Sequence, residues 1–345
     1  MIVTMQSDAA PAQIEAVADL IRQAGHEPLV LPGENRTAIG IPAALGNDER
    51  LDLEARISAM EGVSIVVQTS RPYKLASREA QRESTVVRVK GVEIGGGTPV
   101  VMAGPCSVES EESLMASAEL VKSAGATVLR GGAFKPRTSP YSFQGLAEEG
   151  LKIMQRVGDA TGLVTISEVM SPEMVGLVAE HVDILQIGAR SMQNFPLLIE
   201  AGKSGKPIFL KRGPSATLDE FLLAAEYVLS QNNPNVILCE RGLIAFDRAY
   251  TRNLLDLASV PALKEVSHLP VIVDPSHGTG VARYVAPMAK AALVAGADGL
   301  MIETHPNPKE ALSDGSQALP PDAFRRLMAE LGHLMPYLVA EGRTG

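Results

Sequence analysis

The sequence predicts an α/β protein in which a (β/α)8 TIM barrel follows a small ferredoxin-like α+β domain. Three observations support this fold. Residues 1–70 read as strand, helix, strand, strand, helix, strand; residues 99–340 alternate short apolar strands with helices; and polar side chains follow nearly every one of those later strands. We therefore divide the chain into residues 1–70, a linker with a hairpin over residues 71–98, and a barrel over residues 99–340.

Composition limits the classes of protein to consider. The chain has 345 residues, 46% hydrophobic and 21% charged, which is typical of a globular protein with room for one large and one small domain. A formal net charge of -9 argues against a nucleic-acid or anionic-membrane partner. Two cysteines do not make a disulfide framework, and neither a signal-peptide pattern nor an apolar run of bilayer length is present, so we expect a cytoplasmic protein.

The first domain is predicted from periodicity and turn residues. An apolar stripe with helical spacing follows Pro11, and a second helix over Asp48–Met60 stops just before Gly62. Short β-branched or apolar runs predict four strands, over Ile2–Met5, Pro28–Leu31, Thr37–Ile41 and Val63–Thr69. This order of elements is that of a ferredoxin-like unit.

The second part begins with a hairpin and then repeats one unit. Residues Val86–Ile94 alternate around Lys90-Gly91, which predicts the hairpin. Amphipathic or Ala-rich helices, such as Glu111–Ser123, Leu218–Ser230 and Ala282–Ala295, separate the strands. The predicted strands are Pro99–Ala103, Thr127–Arg130, Leu163–Ser167, Asp183–Gly188, Pro207–Lys211, Val236–Cys239, Pro270–Val273 and Gly299–Ile302. Periodicity alone leaves an open doubly wound sheet as the alternative to a closed barrel.

Polar residues stand where the barrel strands end. A barrel carries its active site at the carboxyl ends of its strands, so side chains there should share one pocket. The strand ends carry, in order, Cys106, Arg130, Glu168, Arg190, Lys211, Glu240-Arg241, Asp274 with His277, and Glu303. The alternative is that these residues are polar only because loops begin there.

Two sets of these residues carry chemistry. A thiolate, an imidazole and two carboxylates, from Cys106, His277, Glu303 and Asp314, can together bind Mn²⁺, Fe²⁺, Co²⁺ or Zn²⁺. His305 is a rival ligand, and Cys106 could instead be a core thiol, the role we expect for Cys239. A cationic set suited to phosphate and carboxylate groups consists of Arg130, Lys135, Arg137, Arg190, Lys211 and Arg241. A ring of surface ion pairs is the alternative for this set.

Four segments stand in this order along the chain: Ala103–Ser107, Leu129–Pro140, Gln186–Arg190 and Asp274–Gly278. Together they closely resemble the 3-deoxy-arabino-heptulosonate 7-phosphate (DAHP) synthases, in the branch with an N-terminal ferredoxin-like domain. The resemblance covers essentially the whole chain. It implies a transferase that condenses phosphoenolpyruvate with erythrose 4-phosphate and water to give DAHP and phosphate, the first step of the shikimate pathway.

The resemblance also implies roles for particular residues. Cys106, His277, Glu303 and Asp314 match the metal ligands of the family, and Lys135 is a candidate proton donor to the aldehyde oxygen. Pro136, Arg137 and Thr138 match the stretch that holds erythrose 4-phosphate. The positions that match the phosphoenolpyruvate site are Arg130, Lys135, Gly188, Ala189, Arg190, Lys211 and Arg241, with Glu168 near the reacting carbon.

Other expectations concern regulation and rival activities. The resemblance implies that the N-terminal domain binds an aromatic amino acid for feedback inhibition, although it could serve only assembly, and that the chain forms a homotetramer. The nearest rival is a 3-deoxy-manno-octulosonate 8-phosphate synthase, which uses arabinose 5-phosphate. Two further rivals are a Schiff-base aldolase that uses Lys211 and a metabolite sensor without catalysis.

Overall fold

The computed structural model describes residues 1–33, 36–41, 45–67, 72–135 and 141–340. Its first unit is a sheet of four antiparallel strands with two helices on one face, in the sheet order β2-β3-β1-β4. Val17, Ile21, Leu53 and Ile57 of the helices pack against the sheet to form a separate small core. The elements are β1 (Ile2–Met5), α1 (Pro11–Gln23), β2 (Leu29–Pro32), β3 (Thr37–Gly40), α2 (Asn47–Ser58) and β4 (Val63–Val67).

The second unit is a closed barrel of eight parallel strands, which excludes the open sheet. Closure comes from the pairing of the last strand with the first, Glu303 standing beside Gly104. An antiparallel hairpin of β5 (Val87–Val89) and β6 (Val92–Ile94) precedes it. The barrel strands are β7 (Val100–Gly104), β8 (Val128–Arg130), β9 (Val164–Val169), β10 (Ile184–Ile187), β11 (Ile208–Lys211), β12 (Val236–Glu240), β13 (Val271–Val273) and β14 (Gly299–Glu303).

Helices surround the barrel, and several begin at a capping residue that the sequence provides. The Ser110 side chain accepts a hydrogen bond from the Ser113 amide, and Thr217 forms a capping box with Glu220. The helices are α3 (Glu111–Ser123), α4 (Ala147–Thr161), α5 (Val175–His181), α6 (Phe195–Lys203), α7 (Leu218–Leu229), α8 (Ser259–Val266), α9 (Pro275–Thr279), α10 (Ala282–Val294) and α11 (Pro321–Ala340). Among the described residues, no helix is long and apolar enough to cross a membrane.

The core has two layers because successive side chains of a strand point to opposite sides. Val101 and Ala103 face outward into the layer between strands and helices. Val100 and Met102 face inward, where they join Phe209, Cys239 and other residues that fill the lumen. The hairpin side chains Val87, Val89 and Ile94 belong to the same cluster and close the amino-terminal end of the barrel. The lumen is therefore packed, and a cavity opens at the other end, where the strands finish.

The segment between the two units is attached to the barrel. Glu226 of α7 accepts hydrogen bonds from three successive backbone amides, those of Lys74, Leu75 and Ala76, at 2.9, 2.7 and 3.0 Å. The buried imidazole of His268 bonds the Leu75 carbonyl and the Thr85 hydroxyl, both at 2.7 Å. These contacts hold residues 74–85 against the amino-terminal half of the barrel.

Candidate active site

A cavity of about 280 Å³ opens at the carboxyl ends of the barrel strands. The sequence predicted a convergence of cations there, and the structure brings five of the six together. The sixth, Arg137, lies outside the described residues, as do Pro136 and Thr138. Arg252 adds a cation that the prediction missed. The cationic residues of the wall are Arg130, Lys135, Arg190, Lys211, Arg241 and Arg252.

The four predicted metal ligands meet at one edge of this cavity. One ligand atom from each of Cys106, His277, Glu303 and Asp314 lies within 4.8 Å of the other three. Cys106 and Glu303 are buried, and the other two are half-buried. The first three come from the ends of β7, β13 and β14, while Asp314 reaches back from the loop before α11. Residues far apart in sequence therefore form one compact donor set.

The ring of His277 is oriented by Asp274, which was predicted only as one of the polar residues at the strand ends. Asp274 caps the short helix α9 by accepting the His277 amide at 2.9 Å. Its Oδ2 accepts the Nδ1–H of the same histidine at 2.6 Å, which leaves Nε2 facing Glu303 Oε1 at 3.3 Å. Burial lowers the pKa of His277 in spite of the two carboxylates. A neutral imidazole with Nε2 free to bind a metal is the form that results.

The donor set fits a divalent cation. Burial, followed by the negative charge of Glu303, raises the pKa of Cys106 to about 12. Its Sγ lies 3.1 Å from Asp314 Oδ2 and 2.9 Å from Lys135 Nζ. Crowding a thiol and two carboxylates this closely is unfavourable by itself. A divalent ion would favour the thiolate and neutralise the carboxylates, and mixed soft and hard donors suit Mn²⁺, Fe²⁺, Co²⁺ or Zn²⁺.

Glu303 also connects the four-residue donor set, here called the metal edge, to the cationic residues that line the cavity, here called the cationic wall. Its Oε1 accepts a hydrogen bond from Arg130 Nη1 at 2.7 Å, and both side chains are buried. The other oxygen accepts from Gln317 Nε2, and the backbone amide of Glu303 donates to Ser276 Oγ at 2.9 Å. With both of its oxygens bonded, this carboxylate is held in one orientation.

Glu168 and Gly188 face each other across the cavity wall. A Cβ on residue 188 would lie 2.1 Å from Glu168 Oε1, so a side chain at this position would displace the carboxylate. Gln186 Nε2 donates to Glu168 Oε2 at 2.9 Å from the other side. A glycine is required here because the Glu168 carboxylate approaches the backbone closely, and not because the chain turns. Ala189 continues the same wall.

The environment of Lys211 argues against the Schiff-base rival. Its Nζ donates to Asp274 Oδ2 at 2.7 Å, and both side chains are buried. A Schiff-base lysine must present a free amine to a carbonyl group. Here Lys211 faces the cavity with its amine already bonded to Asp274, the carboxylate that also holds His277.

The remaining histidines and the second cysteine lie elsewhere. His305, the rival ligand, has its Nε2 3.4 Å from Glu109 Oε2 and is outside the donor set. His26 pairs with Glu49, and His181 bonds the Leu177 carbonyl within its own helix turn. Cys239 is fully buried in the lumen core, as predicted.

The sequence analysis missed residues whose roles depend on contacts across the fold. Arg252 donates to Gln317 Oε1 at 3.1 Å and lies 3.5 Å from Asp314 Oδ1. Asn253 Nδ2 donates to the carbonyl of His277 at 2.8 Å. Only Asp274 had a local signal, since an aspartate three residues before the histidine is placed to cap a helix that begins with Pro275.

Comparison with known proteins agrees with this geometry. A family model described as the DAHP synthetase I family matches residues 45–337, and one described as the DAHP synthase ferredoxin-like domain matches residues 1–71. The chain belongs to the DAHP synthetase I family. Membership confirms the predicted family, the TIM barrel with its ferredoxin-like unit, and an enzyme of the transferase class.

Individual relatives support the assignment over the full length. The phospho-2-dehydro-3-deoxyheptonate aldolase of Thermotoga maritima is 44% identical over 97% of both chains. The crystal structure of DAHP synthase from that organism superimposes with a TM-score of 0.77 over 98% of both chains, at 43% identity. A 2-dehydro-3-deoxyphosphooctonate aldolase of Syntrophotalea carbinolica is 33% identical over 71% of this chain and 94% of its own.

Proposed function

We propose that the chain catalyses the condensation of phosphoenolpyruvate with erythrose 4-phosphate and water, giving DAHP and phosphate. The observation that carries the proposal is the meeting of a four-residue donor set with a wall of cations on one cavity. The donor set suits an aldehyde acceptor that must be polarised, and the cations suit a substrate with both a phosphate and a carboxylate.

Phosphoenolpyruvate would lie against the cationic wall. Arginine forks bind planar carboxylates and phosphate oxygens through paired hydrogen bonds, while lysines contribute point charge. Fixing both anionic ends orients the reacting C3 of the enol toward the aldehyde and lowers the entropic barrier. The residues proposed to hold it are Arg130, Lys135, Gly188, Ala189, Arg190, Lys211 and Arg241, with Glu168 near its C2.

A divalent ion would be held by Cys106, His277, Glu303 and Asp314. When bound, it supplies Lewis-acid polarisation at the aldehyde oxygen of the sugar. Lys135, whose Nζ lies 2.9 Å from Cys106 Sγ, stands at the boundary between this edge and the cationic wall. From there its ammonium can donate a proton to the oxygen that becomes an alkoxide as the C–C bond forms. Pro136, Arg137 and Thr138 are proposed to hold the sugar phosphate.

The first test measures the consumption of phosphoenolpyruvate by its ultraviolet absorbance, in the presence of erythrose 4-phosphate and Mn²⁺, before and after the enzyme is treated with a chelator. We expect sugar-dependent loss that stops with chelator and returns with metal. Activity that survives thorough metal removal would contradict the metal mechanism. Absence of consumption with any of the four metals would contradict the proposed reaction.

Arabinose 5-phosphate is the acceptor to compare, because curated relatives such as the 33%-identical one above are 2-dehydro-3-deoxyphosphooctonate aldolases. The higher identity and full-length match to a heptonate aldolase favour the four-carbon sugar. Values of kcat/KM for both sugars, measured under one metal condition, decide between them. A higher value for arabinose 5-phosphate would replace the proposed acceptor.

The ferredoxin-like unit is proposed to bind an aromatic amino acid and to inhibit the barrel. A cleft of about 210 Å³ lies between its sheet and the 79–86 segment, which is attached to the barrel. Glu79, whose Oε2 is buried with no hydrogen-bond partner in the described structure, lines this cleft with Arg36 and Arg82. These charges match the ammonium and carboxylate of a free amino acid, with Pro32 and Ala38 as apolar contacts.

Inhibition by tyrosine or phenylalanine, measured on the full chain and on a chain lacking residues 1–71, tests this regulation. Loss of inhibition with retained activity supports it, and a full chain that neither amino acid inhibits contradicts it. Glu79→Gln in the full chain then tests the cleft itself.

We also propose a homotetramer that works in the cytoplasm, where a reducing environment keeps the Cys106 thiol available.

A further inference from the structure

Residues 241–256, between β12 and α8, form one wall of the cavity. They contribute Arg241, Arg252 and Asn253 to it. The middle of this segment is exposed to solvent: Phe246 is fully exposed and Tyr250 is 71% exposed. A segment with its large apolar side chains in solvent has little core of its own to hold it. Its position is determined by contacts on either side of this exposed part, which include the paired backbone hydrogen bonds of Leu243 with Leu254 at 2.9 Å and the bond from the Arg252 amide to the Thr279 carbonyl at 2.8 Å.

Both ends are held by one buried network. Arg212, directly after Lys211, donates through Nη1 to Glu240 Oε2 and to Asp256 Oδ2, each at 2.9 Å. Its Nε donates to the Ala216 carbonyl at 3.0 Å. Glu240 is fully buried, and its Oε1 accepts from the Gly242 amide at 2.6 Å and more weakly from the Asp256 amide at 3.4 Å. One carboxylate and one guanidinium thus join the start of the segment to its end.

The network encloses Arg241. Glu240 precedes this arginine, and the Glu240 carboxylate returns to bond the amide of Gly242, which follows it. Gly242 has a φ of +95°, and a Cβ there would lie 2.8 Å from Asn253 Cβ and 3.0 Å from Gly278 Cα. The backbone on both sides of Arg241 is therefore fixed, and it packs against the turn that carries His277.

We propose that Arg212 and Glu240 are positioning residues for the cationic wall. By holding Arg241, Arg252 and Asn253 in place, they set the affinity of the cavity for phosphoenolpyruvate. This inference rests on the proposed function. Both side chains are buried, and Arg212 is bonded to Glu240, Asp256 and the Ala216 carbonyl, so we expect them to act on the substrate through Arg241, Arg252 and Asn253. A displacement of about 1 Å in a group that positions substrate can cost on the order of 100-fold in rate. Because the residues held by the network are proposed to bind the anionic substrate rather than to react with it, its loss should appear chiefly as weaker phosphoenolpyruvate binding.

Glu240→Gln is the decisive variant, because the amide keeps the shape and one acceptor oxygen but removes the charge opposite Arg212. We expect the KM for phosphoenolpyruvate to rise about 10- to 100-fold. We expect kcat and the KM for erythrose 4-phosphate to change less than the KM for phosphoenolpyruvate, since the Arg212 guanidinium and the Glu240 carboxylate bond Asp256, Ala216 and Gly242 rather than a proposed metal ligand. Arg212→Lys should recover part of the affinity that Arg212→Met loses.

Asp298→Asn is the matched control at the other end of the barrel. Asp298 is also a buried carboxylate, accepting from Lys264 Nζ at 2.8 Å and from the Val271 amide at 2.7 Å. It should lower the Tm without changing the KM for phosphoenolpyruvate. The proposal is overturned if Glu240→Gln and Asp298→Asn have the same effect on that KM, or if Arg212→Lys recovers nothing.

A direct binding measurement separates this proposal from the proposed function. The Kd of phosphoenolpyruvate, obtained by calorimetry on wild type and on Arg212→Lys and Arg212→Met, requires no turnover. A wild type that binds phosphoenolpyruvate without condensing it with the sugar would contradict the reaction. The positioning role would still be judged by whether the Kd rises in Arg212→Met and recovers in Arg212→Lys.

Discussion

The two ends of the barrel use the same eight strands in opposite ways. At the carboxyl ends the strands finish in buried charges, such as Arg130, Lys211 and Glu303, around open space. At the amino ends Val87 and Ile94 of the hairpin close a packed apolar lumen. A side chain that packs contributes to the free energy of folding, whereas buried charge beside a cavity costs stability and is kept for binding or chemistry. Substitutions at the two ends should therefore separate activity from stability.

The largest expected difference is between the two cysteines. Cys106→Ala removes a proposed metal ligand and should lower kcat/KM about 1,000-fold or more, equivalent to several kcal/mol of lost catalysis. Cys239→Ala in the lumen should cost about 1–2 kcal/mol of unfolding free energy and leave the rate nearly unchanged. Steady-state kinetics and denaturant unfolding of both variants check this. An active Cys106→Ala enzyme would remove the distinction between the ends.

A second difference lies in the pH dependence of stability. Burial lowers the pKa of His268, near the amino-terminal end, to about 4. Between pH 6.5 and 4 the unfolded chain takes up a proton that the folded chain does not, so stability falls as pH falls through this window. The loss amounts to about 3 kcal/mol. His268→Gln should flatten the dependence of unfolding free energy on pH in that window while kcat stays the same; an unchanged slope would contradict the assignment.

A third prediction concerns the residue that orients His277. Asp274→Asn changes the partner of Nδ1 and should weaken Mn²⁺ binding about 10- to 100-fold. Metal titration by calorimetry on the chelated enzyme measures this, and excess Mn²⁺ should restore part of the activity. Wild-type metal affinity in the variant would show that Asp274 supports only the fold.

The smallest expected effect is in the hairpin. Val87→Ala removes two buried methyl groups at the closed end and should lower the unfolding free energy by about 1–2 kcal/mol. Its KM values should equal those of wild type. A changed KM for either sugar or enol substrate would mean that the closed end influences the open one.

The same contrast explains how much of this structure the sequence could predict. Apolar runs such as Val236–Cys239 determine strands locally, and the described strand boundaries lie within about two residues of the predicted ones. The predicted end of Val63–Thr69 lies outside the described residues. Closure was not predictable from any one strand, because it depends on the pairing of Gly299–Glu303 with Val100–Gly104, about 200 residues away.

The residues of the site also divide into those that the sequence could predict and those that it could not. Strand-end position and family resemblance together predicted residues that the structure brings together, four in the donor set and five cations in the wall. The partners that hold them were missed: Arg212 reaches Glu240 and Asp256, and Gln317 reaches Glu303, through contacts that no spacing in the sequence encodes. Gly188 was predicted from the family resemblance alone, and the physical reason for a glycine there, the Glu168 carboxylate beside the position that a Cβ would take, is visible only in three dimensions.

The capture of three successive amides by Glu226 also has a mechanical meaning. A pulling force applied to Met1 would travel through the sheet and reach the barrel at Lys74, Leu75 and Ala76, where three hydrogen bonds share the load. Bonds that share a load resist a larger force than any one of them alone. The contacts of His268 and Arg78 lie further along the same segment and would hold it after these three bonds had broken. Glu226→Gln should therefore lower the force of the first rupture and leave the later ones unchanged.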